Sequence, residues 1–398
     1  MRFPWLVGAC VMAASTLAGC AIGGTEEHAR APFYRYDREE VPGDPGTVVR
    51  TEAMQGAPSN ASAYRILYRS TGLDGEPIMV SGVVVVPAGP APAGGRPVVA
   101  WAHPTTGVVQ RCAPSLALLM FDDMPGLRDM LARGFVVVAT DYPGLGTPGP
   151  HPYLVGVSEG RAVLDSVRAA IRLPGIQASR HFAVWGHSQG GQAALFAGLL
   201  ARRYAPDIDI TGVAATAPAT DLATLLHDDF ASDGGRNLTA MTLWSWARVY
   251  GLSLESVVAP AALPTVDALA GECIESVYDM MARRRSQGPL ATAFLRIGDL
   301  TQVEPWRSFL LQNSPGTLPA ALPVFLAQGG ADTLVRPEVT AAYEAKLCAA
   351  GSAVRMLKMP GVGHGFAGFE SANAAVGWLG DRLAGRPAPS DCASPPGR

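Results

Sequence analysis

Phe182-Ala-Val-Trp-Gly-His-Ser-Gln-Gly-Gly-Gln-Ala-Ala-Leu-Phe-Ala197 is the stretch whose reading decides the fold. Phe182 to Trp185 form an apolar run that suits a buried strand, and the Ala/Leu-rich run from Gln192 to Arg203 suits a helix. Gly186-His187-Ser188-Gln189-Gly190 falls at the join, so Ser188 occupies the strand-to-helix turn at which G-x-S-x-G is meaningful. The glycines have a steric reason to be there: a residue held in a tight turn needs neighbours without side chains if the helix is to fold back on the strand. The pattern occurs twice, because Gly156-Val157-Ser158-Glu159-Gly160 matches as well. No strand-length apolar run precedes Ser158, and a helical pattern follows it, so Ser158 is expected to be a helix N-cap.

Outward from that stretch, short apolar runs alternate with helical patterns. Strands are expected at Tyr64 to Arg69, Ile78 to Val86, Val98 to Ala102, Phe135 to Thr140, Phe182 to Trp185, Gly212 to Thr216, Val324 to Ala327 and Val354 to Lys358. The first two are joined by the turn-rich Gly72 to Pro77 and read as an antiparallel hairpin. Leu127 to Arg133, Glu159 to Arg172 and Gln192 to Arg203 read as intervening helices. This alternation predicts an α/β chain with a mostly parallel, eight-stranded sheet covered on both faces, the α/β-hydrolase plan. The alternation fails over residues 221–317, roughly 95 positions with helical candidates at Leu222 to Asp229, Leu238 to Tyr250, Glu272 to Arg285 and Pro305 to Gln312. So long an interval predicts a helical cap inserted between the sixth and seventh strands. Trp244, Trp246 and Tyr250 within it read as packing residues ahead of substrate contacts.

The chain of 398 residues has a net charge of −3, which argues against a nucleic-acid surface. Residues 1–19 read as a signal peptide: Arg2, an apolar Phe3 to Leu17, then Leu17-Ala18-Gly19-Cys20, which resembles the bacterial lipobox whose cysteine is lipidated. Ordinary cleavage near Ala18 or Ala21, giving a secreted form, is the alternative. Lipidation would anchor the chain in the bacterial envelope, and Ala21 after the cysteine suits the outer membrane. Residues 20–45 then read as a tether in which Phe33 to Tyr36 docks on the domain, residues 46–220 and 318–385 as the two parts of the core, and 386–398 as a tail. Cys112, Cys273, Cys348 and Cys392 remain, an even number without a C-x-x-C, which fits disulfides in an oxidising compartment. Three pairings are possible. Cys112 with Cys273 and Cys348 with Cys392 is favoured, since it ties the insertion to the sheet and the tail to the core.

A serine hydroxyl becomes a nucleophile only when a base takes its proton, and the base must itself be oriented. His364, in the Gly-rich Met359-Pro-Gly-Val-Gly-His-Gly-Phe366 after the last strand, is the candidate base. His28 lies in the tether, His187 within the turn and His227 in the insertion. Asp332, in Gln328-Gly-Gly-Ala-Asp332, is the candidate acid in the order Ser, Asp, His. Asp221 is its rival, and Asp141 reads as a structural turn residue. An oxyanion would be met by the backbone N–H of Gln189 and by one from His103-Pro104-Thr105-Thr106-Gly107. Pro104 has no N–H, and Thr105 is preferred to Thr106. His103 reads as a loop-stabilising residue.

Trp101-Ala-His-Pro-Thr-Thr-Gly107, Asp141-Tyr-Pro-Gly144 and Gly186-His-Ser-Gln-Gly190, with Asp332 and His364, together resemble the secretory lipase family of α/β-hydrolases over residues 45–385. The resemblance implies a capped serine esterase or lipase with disulfides, acting on a small-molecule or lipid ester. Acyl transfer or amide hydrolysis on the same triad is a second reading, separated by product analysis with alcohol acceptors. A non-catalytic envelope lipoprotein that keeps the fold is a third, separated by a fluorophosphonate probe. No H-E-x-x-H and no dinucleotide fingerprint is present, so neither a metal nor a cofactor is inferred.

Overall fold

The computed structural model describes residues 32–37, 41, 43–230, 232–274, 283 and 287–392. A single sheet of nine strands organises it: β1 (Val48–Met54), β2 (Ala61–Thr71), β3 (Pro77–Pro87), β4 (Arg96–Ala102), β5 (Val136–Thr140), β6 (Ala178–His187), β7 (Asp209–Thr216), β8 (Val324–Gly329) and β9 (Val354–Met359). Their spatial order is β1-β2-β3-β5-β4-β6-β7-β8-β9. The first three strands meander antiparallel, β3 meets β5 antiparallel, and all pairs from β5–β4 onward are parallel. This is the α/β-hydrolase plan with one strand more than the eight expected. The additional strand, β1, lies at the sheet edge with Val49, Thr51, Glu52 and Ala53 exposed. It is half-solvated, so it lacks the apolar run that marks a buried strand.

β4 shows why the core has two layers. Val99 and Trp101 point to one face with Trp185 and Trp378, while Val98 and Ala100 point to the other with Leu164 and Leu195, the two-residue alternation of a strand. On the first face lie α1 (Leu127–Ala132) and α9 (His364–Leu383). On the second lie α2 (Gly156–Arg172), α3 (Gln189–Tyr204) and α8 (Pro337–Ala349).

Between β7 and β8 the described residues form α4 (Leu222–Asp229), α5 (Asp233–Val249), α6 (Leu263–Ala270) and α7 (Trp306–Gln312), with one isolated bridge between Val258 and Leu295. α6 was not among the expected helices, and the one expected over Glu272 to Arg285 falls largely outside the described residues. Trp246 is fully buried against Trp306 and Tyr250 stacks on Phe309 at 3.9 Å, so these aromatics pack the insertion itself. Trp244 is partly buried and donates its indole N–H to Asp267.

Two disulfides join Cys112 to Cys273 and Cys348 to Cys392, the favoured pairing. They close separations of 161 and 44 residues, for which chain entropy alone would give about 4–5 kcal/mol each. The second bridge holds the tail along β9, where Asp391 N–H donates to Val354 O and its carboxylate accepts from Met356 N–H. At the other end Tyr34 is buried, its hydroxyl bonded to Ser115 Oγ at 2.8 Å, while Arg50 donates to the carbonyls of Pro32 and Phe33. The segment Phe33 to Tyr36 is thus docked at Tyr34. The expected signal peptide, Cys20 and most of the tether lie outside the described residues.

Candidate active site

Ser188 links the end of β6 to the start of α3 with φ 58° and ψ −119°, a backbone conformation that costs a non-glycine residue energy. Its N–H donates to Thr216 O on the neighbouring strand at 2.9 Å, and its carbonyl accepts from Gln192 N–H at 3.1 Å. The two motif glycines permit this. A Cβ on Gly186 would overlap the carbonyl of Gly190, and one on Gly190 would overlap that of Ala102 at the end of β4. The turn is therefore pressed onto the loop that begins at His103.

His364 opens α9 just after β9, behind Gly361 and Gly363. Its Nε2 lies 2.8 Å from Ser188 Oγ and its Nδ1 lies 2.8 Å from Asp332 Oδ2. A carboxylate can only accept, so Nδ1 carries the proton and Nε2 offers its lone pair to the serine hydroxyl. Asp332, buried in the turn after β8, is held in place by others: Oδ1 accepts from the N–H groups of Leu334 and Val335 at 2.9 Å each, and Gln328 Nε2 donates to Oδ2 at 3.2 Å. Such a chain can move a proton off the serine, hold it on the imidazole and return it to a leaving group.

His187 packs its ring 5.0 Å from that of His364. Burial, reinforced by the charge of a protonated His364, depresses its pKa to about 3, so it stays neutral beneath the site. Gln189, the first residue of α3, presents a backbone N–H that has no partner one turn earlier in the helix. Thr105 lies in the loop after β4, its Oγ1 hydrogen-bonded to Tyr153 OH at 2.9 Å, and Ile274 N–H donates to the carbonyl of Thr106 at 2.7 Å. Between them, the loop and its disulfide tie the insertion to the edge of the site.

The remaining candidates are elsewhere. Asp221 caps α4, accepting from Thr224 N–H. Asp141 is fully buried and accepts from Ser115 N–H (2.8 Å) and from the hydroxyls of Ser115 (2.5 Å) and Ser81 (2.6 Å), a structural turn residue. His103 spans its own loop between the carbonyls of Pro104 and Asp141, and burial lowers its pKa to about 4. Ser158 is not an N-cap. Val155 holds that position, and Ser158 lies within the first turn of α2 at 2% exposure. The helix starts three residues earlier than its apolar pattern indicated, and Gly156 and Gly160 let α2 lie against Phe196 and Ala197 of α3.

His151, Tyr153 and Glu159 line the underside of the turn and were missed. The only local signal was a glutamate in a helix's first turn; its Oε1 accepts from the N–H of Leu154, which precedes the N-cap Val155.

A nine-stranded α/β-hydrolase sheet thus holds Ser188, His364 and Asp332 hydrogen-bonded in series just past the carboxyl ends of β6, β9 and β8. Residues 110–391 match the secretory lipase family, and the chain belongs to it. It is 31% identical over 207 residues to the "Probable inactive lipase" of Mycobacterium tuberculosis (48% of this chain, 46% of that one). It is 28% identical over 220 residues to Lipase A of Arthroderma benhamiae (49% and 45%). The chain thus spans about half the length of these curated relatives. Among solved structures, Candida antarctica lipase A in its closed state superposes with a TM-score of 0.74 at 18% identity, covering 94% of this chain and 91% of that one. The rice cell wall degrading esterase LipA from Xanthomonas oryzae gives 0.70 at 20% identity, covering 86% and 99%. At such identities the likeness is one of fold.

Proposed function

We propose that this chain is a serine carboxylic ester hydrolase, an esterase or lipase, that works through an acyl-enzyme on Ser188. The observation that carries the reading is the unbroken hydrogen-bonded series Ser188 Oγ, His364, Asp332 at 2.8 Å per step. Ser188 Oγ attacks the ester carbonyl carbon as His364 Nε2 takes its proton, and the carbonyl π electrons move onto oxygen. The backbone N–H groups of Gln189 and Thr105 receive that oxyanion. Collapse breaks the bond to the alcohol, which leaves with the proton from His364. Water then repeats the sequence on the acyl-serine, releasing the acid and restoring Ser188. Asp332 orients the imidazole and stabilises its charged form. The insertion between β7 and β8 roofs the acyl site, and a lipidated Cys20 anchors the enzyme in the bacterial envelope.

One relative is described as inactive, so the decisive experiment must show chemistry at the serine itself. Cells producing the protein are fractionated, treated with a fluorophosphonate and assayed on p-nitrophenyl esters of graded acyl length. The expected result is a label on Ser188, ester turnover, and both in the membrane fraction, moving to the soluble fraction in Cys20→Ser. A folded protein that neither labels nor turns over any ester sinks the enzyme reading. Label in the soluble fraction of the wild type sinks the anchor alone.

A further inference from the structure

Directly behind Ser188, three polar side chains are almost completely withdrawn from water: His151 and Glu159 at 0% and Gln189 at 1% exposure. Their hydrogen bonds can be assigned from one fixed point. His151 Nδ1 sits 2.9 Å from the carbonyl of Pro143, which can only accept, so Nδ1 carries the proton and Nε2 is an acceptor. Burial keeps the ring neutral, with its pKa near 3. The Gln189 carboxamide then donates one hydrogen to His151 Nε2 at 3.0 Å and the other to Glu159 Oε1 at 2.7 Å. The same Oε1 accepts from Leu154 N–H at 2.9 Å. Both amide hydrogens are thus engaged, and turning the amide over would set its oxygen against two acceptors. A side chain pinned at two points restricts its own backbone, and in Gln189 that backbone carries the N–H next to the nucleophile.

The pinning segment is itself held from the insertion. Ser245 Oγ of α5 donates to His151 O at 2.6 Å and accepts from Tyr153 N–H, and Trp246 Nε1 donates to Tyr153 O at 2.8 Å. Tyr153 in turn bonds Thr105 through its hydroxyl. Glu159 Oε2 has no partner among the described residues, and the two hydrogen bonds that Oε1 accepts come from the uncharged N–H groups of Leu154 and Gln189. Burial without a cation holds the carboxyl in its acid form.

We infer that Glu159, acting with His151, is a positioning residue: it pins the Gln189 side chain and thereby aims the Gln189 backbone N–H at the oxyanion. It does not touch substrate. The inference rests on the reading of Ser188 as nucleophile and Gln189 N–H as donor. A donor misaimed in the transition state lowers kcat and leaves ground-state binding nearly untouched.

The test compares Glu159→Leu, Glu159→Gln and Gln189→Met on one p-nitrophenyl ester, with affinity for an alkylboronic acid, whose serine adduct mimics the oxyanion, as a second readout. Losing an oxyanion donor outright costs about 10²–10³ in kcat, so misaiming one should cost on the order of 10-fold to 100-fold. Glu159→Leu is expected to lose kcat on that scale and boronate affinity in parallel, with KM within about threefold. Glu159→Gln keeps a carbonyl acceptor for both donors and is expected to restore wild-type values. Gln189→Met, which removes the pinned hydrogens without touching Glu159, is expected to match Glu159→Leu and answers the question if the leucine variant does not fold. The inference is overturned if Gln189→Met or a folded Glu159→Leu keeps full kcat, if the loss is in KM alone, or if glutamine fails to rescue. Wild-type labelling at Ser188 with these failures leaves the hydrolase reading standing, whereas a wild type that does not label overturns both.

Discussion

In Gly186-His-Ser-Gln-Gly190 the serine stands at φ 58° between a strand and a helix; in Gly156-Val-Ser-Glu-Gly160 it is buried in the first turn of a helix. The glycines serve different contacts. In the first they remove side chains that would overlap the carbonyls of Gly190 and Ala102, so the chain can reverse and hold Ser188 beside His364. In the second they let two helices touch: a Cβ on Gly160 would lie 2.9 Å from the carbonyl carbon of Phe196. The two pentapeptides also meet, since Gln189 of one donates to Glu159 of the other. A short pattern thus reports that backbones approach closely. What approaches, and for what purpose, depends on the elements around it.

Substitution of the two serines separates the pentapeptides most sharply. Ser188→Ala is expected to lose about 10⁴-fold or more in kcat, and His364→Ala as much, because members of one catalytic unit do not contribute additively. Steady-state ester hydrolysis measures it, and a folded, active Ser188→Ala would overturn every assignment at the site.

The glycines come next. Gly190→Ala sets a methyl into a backbone carbonyl that cannot rotate away and is expected to exceed the usual overpacking cost of about 1–3 kcal/mol, whereas Gly160→Ala is expected to stay within it. Urea unfolding of the two variants would find them equal if the glycines did the same work.

The pH dependence of stability should run in opposite directions through the two pentapeptides. His187 has its pKa depressed from 6.5 to about 3 in the fold, so the unfolded chain binds the extra proton and stability is lost as pH falls from about 6.5 toward 3. Glu159 has its pKa raised from 4.5 to about 8, so the folded chain holds the proton and stability is lost as pH rises from about 4.5 through 8. Melting temperatures of wild type and Glu159→Gln from pH 5 to pH 9 should therefore diverge in favour of the variant as pH rises. A constant gap would mean that Glu159 is ionised throughout.

The smallest effect is expected from Ser158→Ala. With no cap to lose, it should keep turnover within about twofold and stability within about 1 kcal/mol. A larger loss of turnover with the fold intact would show that α2 reaches the site through more than Glu159.

The residues that were legible in advance carry a local signal. Ser188 was found from an apolar run, a glycine turn and a helical run within sixteen positions, and Asp332 and His364 from their places just after β8 and β9. β1 was missed because an edge strand with Val49, Thr51, Glu52 and Ala53 exposed carries half the hydrophobic signal of a central one. α6 was missed where Pro264 and short length blurred the helical period. His151 and Glu159 had no signal that pointed to Gln189, since neither lies near it in the chain.

By itself, then, the order of residues determined the alternation of strand and helix, the position of the turn at Ser188 and the order in which serine, acid and histidine occur. These depend on periodicity and on steric limits that act over a few residues. Only the tertiary structure decided that Ser158 is a packing residue, that Cys112 meets Cys273, and that a buried carboxyl thirty positions away pins the residue beside Ser188. The physical reason is that burial is collective. A polar side chain loses its water only when distant elements close over it, and which partners then remain within reach is settled by packing that no single stretch of the chain contains.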